Sequence, residues 1–134
     1  MDHRRQKPVV TEELQACFHA LVAGKKNIRL VGLCTEDGFD IKSLADKSFE
    51  LDSDKLAAMA SSISALSNSS AQQLKRDGFT ITIIETEDGN ILLMKTRYLD
   101  QPCVISMATA RESSLAQDRF ELKRFAAKVA AISL

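Results

Sequence analysis

The chain has 134 residues, 45% hydrophobic and 27% charged, with 18 basic and 18 acidic side chains balancing to zero formal charge. That length suits one compact domain burying about two-thirds of its unfolded surface. The balance argues against a general nucleic-acid binder, which draws its affinity from excess cations, and no apolar run approaches the roughly 20 residues that span a bilayer.

Residues 1–10 open with the basic run Met1-Asp2-His3-Arg4-Arg5-Gln6-Lys7-Pro8 and lack a signal-type hydrophobic core. They are expected to form a flexible arm ahead of a single domain at 11–134. Thr11 before Glu12-Glu13 marks a helix start, with apolar residues at Leu14, Cys17, Phe18, Leu21 and Val22. Gly24 would end this helix, and Lys25-Lys26 would complement its dipole. The β-branched run Asn27–Thr35 then predicts a strand, and the alternation Phe39-Asp40-Ile41-Lys42 a second.

Between these strands stands Thr35-Glu36-Asp37-Gly38, and the same tetrapeptide recurs at Thr86-Glu87-Asp88-Gly89 between Phe79–Ile84 and Ile91–Met94. A calcium loop needs oxygen ligands at alternating positions, and apolar strand residues occupy those here. Asp-Gly between strand-like runs instead predicts a two-residue hairpin turn with both central residues at positive φ. The two copies are therefore expected to be hairpin turns rather than a repeat or a metal pair.

The segment between the hairpins carries the most information. Asp52 or Ser53 can cap a helix, and Lys75-Arg76-Asp77-Gly78 offers cations and a glycine at its end. From Leu56 to Leu74 the helix has 19 residues without a charge, a gap expected on the order of a few times in a thousand at ordinary charge density. Leu56, Met59, Ala60, Ile63, Leu66 and Leu74 form a stripe expected to cover the sheet. The opposite side carries Ala58, Ser61, Ser62 and Ala65, flanked by Ala57 and Ser64. A water-facing helix would place Lys, Glu and Arg there, so a second protein surface is expected against it.

Two more strands follow, Ile91–Arg97 and Cys103–Ala108, and then a last helix. Ser114 and Gln117 have capping-box spacing there, and Leu115, Leu122, Phe125, Ala126, Val129 and Ile132 form one face. The predicted order is α-β-β-α-β-β-β-α. Phe120 lies off that face and is expected either to fill a groove beside the first helix or to stand exposed as an anchor for a partner.

Chemistry is hard to place on this chain. Cys17, Cys34 and Cys103 lack CxxC spacing, which argues against disulfides or zinc and for buried thiols in a reducing cytoplasm. His19 has no second histidine near it for a ligand set, and no phosphate-cradling glycine loop occurs. Neither catalytic residues, a metal nor a cofactor are expected.

The runs LDSDKLAAMASSISALSNSSAQQL, FTITIIETEDGNILLMKT and DRFELKRFAAKVAAI resemble the roadblock/LC7 family, whose bacterial members include partners of Ras-like GTPases. The resemblance implies an α+β sandwich of roadblock/profilin type: a five-stranded antiparallel sheet, the central helix on one face and the terminal helices on the other. It implies a homodimer with paired central helices and third strands, placing Ala57, Ala58, Ser61, Ser62, Ala65, Thr80, Thr82 and Ile84 at the interface. It further implies a non-enzymatic, cytoplasmic regulator or scaffold of a small GTPase. An assembly subunit without GTPase contact and a profilin- or PAS-like ligand sensor are the alternatives.

Overall fold

The computed structural model describes residues 8–23, 27–47 and 49–134, so the arm up to Lys7 and the expected helix stop at Gly24–Lys26 lie outside the described residues. The elements are α1 (Glu12–Ala23), β1 (Ile28–Thr35), β2 (Asp40–Ala45), α2 (Ser53–Gln73), β3 (Ile81–Thr86), β4 (Gly89–Tyr98), β5 (Gln101–Thr109) and α3 (Leu115–Ala130). Their order is the one the sequence implies. The strands form one antiparallel sheet in the order β2-β1-β5-β4-β3, which leaves β3 on an outer edge.

Register divides the sheet into two faces, because directly paired residues point the same way. Leu33, Ile105, Met94 and Ile81 align across four strands, as do Val31, Met107, Leu92 and Ile83. This face packs under α1 and α3, which supply Leu14, Phe18 and Leu21, and Leu122, Phe125 and Val129. Phe18 meets Phe125 edge-to-face, with ring centroids 5.2 Å apart. The opposite face is smaller: Cys34, Val104 and Leu93 pack with Ala57 and Ala60 of α2, with Ile63, Ile84 and Ile91 at the margin.

The helix starts follow their side chains. Thr11 Oγ1 accepts from the Leu14 amide at 3.1 Å, and Asp52 Oδ1 accepts from the Asp54 and Lys55 amides, both at 3.1 Å. Ser114 Oγ accepts from the Gln117 amide at 3.1 Å. Only half of that capping box closes, because the Gln117 side chain turns to donate to Glu121 Oε1 at 2.9 Å.

The ends and turns depart from expectation. Helix α2 stops at Gln73, and the left-handed residue that closes it is Lys75 at φ 57°; Gly78, also left-handed at φ 74°, comes three residues later. The Arg76 amide donates to Ala71 O at 2.8 Å and the Lys75 amide to Gln72 O at 2.9 Å, which satisfies the last carbonyls without a glycine. Both Thr-Glu-Asp-Gly segments are hairpin turns, but neither Asp37 nor Asp88 has positive φ; only the glycines do. In the second, Glu87 and Asp88 span paired Thr86 and Gly89. Gly89 follows the turn at φ 140°, where a Cβ would stand 1.9 Å from Thr109 O. The two-residue turn with both centres at positive φ is instead Leu99-Asp100, between paired Tyr98 and Gln101. Strand β3 also begins later than expected, so Phe79 and Thr80 precede it.

Tyr98 ties that hairpin to the front of α1. Its ring is fully buried and its hydroxyl donates to Val9 O at 2.6 Å while accepting from the Thr11 amide at 3.2 Å. Every described buried side-chain N or O has a hydrogen-bond partner.

Candidate interaction surface

Helix α2 crosses its face of the sheet from β2 toward β3. Ser53 and Ser43 hydroxyls lie 2.9 Å apart near its start, and Thr82 Oγ1 donates to Ser67 Oγ at 2.6 Å further along. The residues turned inward are small. Ala57 is 2% exposed, Ala60 1%, and Ser64 is buried with them. Small side chains let the helix backbone approach the strands closely; the Cys34 thiol lies 3.7 Å from Ala57 O.

The expected stripe is therefore rotated. Of its members Ala60 covers the sheet and Leu56 and Ile63 are half-buried, but Met59 is 41% exposed, Leu66 is 67% exposed and Leu74 is exposed too. Ala57, expected beside the outer face, belongs to the core, so its interface assignment does not fit its place in this chain. Ala58, Ser62 and Ala65 do lie on the outer side; Ser61 is half-buried, and its hydroxyl donates to Ala58 O at 3.1 Å. The result is an outward surface of Ala58, Ser62 and Ala65 bordered by Met59 and Leu66, all uncharged.

The expected strand residues border this surface on an open edge. Thr82 and Ile84 point to the α2 face: Thr82 aligns with Leu93, and Ile84 with Ile91. Both are half-buried, and Thr80 is exposed just ahead of β3. The structure thus brings six of the eight expected residues near one surface, leaves Thr80 before the strand and removes Ala57. Met59 and Leu66 are the components sequence reasoning missed. Asp54 and Lys55 carry the signal that could have found them. Both are exposed, and at about 100° per residue the direction opposite to them falls on Ala60 and Ser67 rather than on Met59 or Leu66.

Among the described residues the other candidate groups do not gather at one place. Burial raises the Cys34 thiol from 9.0 to about 12 and the Cys103 thiol to about 11, and it also raises the half-buried Cys17. These are protonated packing residues at neutral pH. His19 is exposed. Asp118 is buried, but it holds the loop before α3, accepting from Thr109 Oγ1 at 2.9 Å and from the Ser113 hydroxyl. Among the described residues no group of three or more His, Cys, Asp or Glu could hold a metal. Arg97 is spent on Asp100 O at 2.6 Å and Arg111 on Glu87 O at 2.9 Å. Phe120 does not enter the groove between α1 and α3, which is lined by Cys17, Leu21, Glu121, Arg124, Phe125 and Lys128. It is 58% exposed on the outer side of α3.

A sheet with one helix behind and two in front, the single helix uncharged from Leu56 onward and lying beside an open strand, defines an α+β domain of roadblock/profilin type. The roadblock/LC7 domain model matches residues 17–97, and the chain belongs to that family. Solved structures agree on the fold. MglB of Myxococcus xanthus is 16% identical with a TM-score of 0.73, covering 89% of this chain and 93% of that one. The gliding protein mglB of Thermus thermophilus is 14% identical with a TM-score of 0.75, covering 94% and 96%. MglB in a tetrameric arrangement is 15% identical with a TM-score of 0.74, covering 94% and 95%. No curated protein matches the sequence significantly. Among the described residues no helix is long and apolar enough to cross a membrane.

Proposed function

We propose that this chain is a homodimeric cytoplasmic regulator or scaffold that binds a Ras-like small GTPase. The observation that carries the proposal is the outer side of α2, uncharged from Leu56 to Leu74, with Met59 and Leu66 exposed beside the unpaired edge of β3. A second copy brought up about a twofold axis would cover the apolar side chains and pair the edge strands, two needs met by one symmetric contact. Ala58, Ser62 and Ala65 would let the two α2 backbones approach closely. The tetrameric arrangement of a structural neighbour supports self-association as a use of this fold. Family membership supports the GTPase as partner.

Sedimentation velocity tests the dimer: Ala58→Glu and Ala65→Arg should give monomer or aggregate, and an unchanged sedimentation coefficient in both variants would reject the interface. Pull-down against candidate Ras-like GTPases loaded with GDP or a GTP analogue tests the partner. A partner held in one nucleotide state only is the expected result; none in either state, with the dimer intact, would favour a purely structural assembly subunit.

A further inference from the structure

We propose that the outer side of α3 docks on an anionic phospholipid bilayer, with Phe120 entering the headgroup boundary, Lys123 and Arg124 beside it facing lipid phosphates and Arg119 at the flank. The observation is a sorting of charge. Helix α3 carries four cations and two acids; all four cations are exposed, while Asp118 and Glu121 are both buried. The exposed side of α3 is thus purely cationic in a chain with no net charge. At its middle Phe120 is 58% exposed, and Lys123 and Arg124 follow at i+3 and i+4, the positions that flank it on a helix surface. The neighbouring α1 contributes exposed acids only in its first turn, at Glu12 and Glu13.

A convex helix with one projecting aromatic and long cationic side chains around it suits a flat anionic interface. The ring reaches the acyl boundary while the aliphatic stems lie along it and the charges stay in water. A nucleic acid would favour several stacking aromatics and a basic excess over the whole chain, and neither is present. The site belongs to one copy, but its strength rests on the proposed dimer. If two copies join at β3, the sheet is continuous, and both α1–α3 layers lie on the same side of it. Two such helices could then face one membrane and bind with avidity.

Co-sedimentation of the full chain with phosphatidylcholine vesicles, with and without phosphatidylglycerol, tests this. Binding is expected only to the anionic vesicles and should weaken as salt rises from about 0.1 to 0.5 M. Each cation contributes about fivefold, equivalent to about 1 kcal/mol, so Lys123→Glu with Arg124→Glu should weaken binding at least about twentyfold while circular dichroism stays unchanged. Phe120→Ala should cost about tenfold. Binding that survives the double reversal, or that is equal on both vesicle types, would overturn the proposal. So would tighter capture by duplex DNA or polyglutamate that the same reversal abolishes. A monomeric Ala58→Glu variant that still binds anionic vesicles, more weakly, supports the α3 site and measures the dimer's share. A wild-type monomer that binds them through α3 would reject the dimer alone.

Discussion

Helices α2 and α3 cover opposite faces of one sheet and solve that task in reverse. Helix α3 buries Leu122, Phe125 and Val129 and exposes Arg119, Lys123, Arg124 and Lys128. Helix α2 buries Ala57, Ala60 and Ser64 and exposes Met59 and Leu66. One is anchored by large side chains in a deep core and is finished on its outer side by charge. The other lies close to the strands on small side chains, and its large apolar groups face outward. A helix of the second kind contributes to its own core through small side chains and leaves its larger apolar groups exposed.

Truncation breaks this comparison most sharply. Phe125→Ala removes a ring packed edge-to-face on Phe18 and should cost about 3–5 kcal/mol of folding stability. Leu66→Ala, equally drastic on paper, should stay within about 0.5 kcal/mol for the isolated chain and weaken self-association instead. Urea unfolding at low protein concentration, set beside sedimentation across a concentration series, separates the two. Equal losses of folding stability would erase the distinction. Enlargement gives the next effect. Ala60→Leu, at a position 1% exposed, should cost about 1–3 kcal/mol by overpacking, while Ala65→Leu on the outer side should be near neutral for folding.

The same contrast explains what could be read from the sequence. Helix α3 was legible because its inward face is also its apolar face, so a 3.6-residue period gives its existence and orientation together. In α2 the period gives existence only. Leu56, Met59, Ile63 and Leu66 look inward by hydrophobicity, but close approach to the strands selects Ala57, Ala60 and Ser64, and spacing between a helix and a sheet cannot be read from one segment. The glycine turns were legible in place but not in type, since Gly supplies the positive φ while the preceding Asp does not need it. The Leu99-Asp100 turn carries a weak signal, because Leu disfavours the left-handed region and Asp enters it only occasionally. The Tyr98 hydroxyl on Val9 O spans 89 residues and leaves no local pattern at all. The candidate surface was therefore found by its lack of charge, with one member misplaced and its two largest apolar groups assigned to the wrong side.

A pH series sharpens the comparison beneath α2. Cys34 packs with Ala57 and Ala60, and desolvation first, then the nearby Cys103 and Asp40, raise its thiol from 9.0 to about 12. The thiol is neutral in the folded chain, whereas the unfolded chain loses its proton first as pH rises. Its contribution is thus fully present below pH 9 and is lost between pH 9 and about 12. By pH 10 the loss should be on the order of 1 kcal/mol. From pH 8 to pH 10 the unfolding free energy from urea titration should fall less in Cys34→Ala than in the wild type by that amount, and an identical fall would show that the thiol titrates as it does when unfolded.

The smallest expected effect separates the two helix ends. Helix α2 closes through Lys75 at φ 57°, where a Cβ is strained, while α3 closes through Ala131 at φ −83°, where it is not. Glycine at position 75 removes a strain of about 1–2 kcal/mol, which outweighs the added unfolded-state freedom of about 0.5–1 kcal/mol, and the bonds from the 75 and 76 amides to Gln72 O and Ala71 O use backbone atoms that the substitution leaves in place. Glycine at position 131 relieves nothing and adds unfolded-state freedom, costing about 0.5–1 kcal/mol. Lys75→Gly should therefore raise the urea midpoint and Ala131→Gly lower it. Opposite signs from one substitution at two helix ends would trace the difference to backbone geometry. A drop in both would mean that the Lys75 side chain holds the end of α2 through contacts of its own.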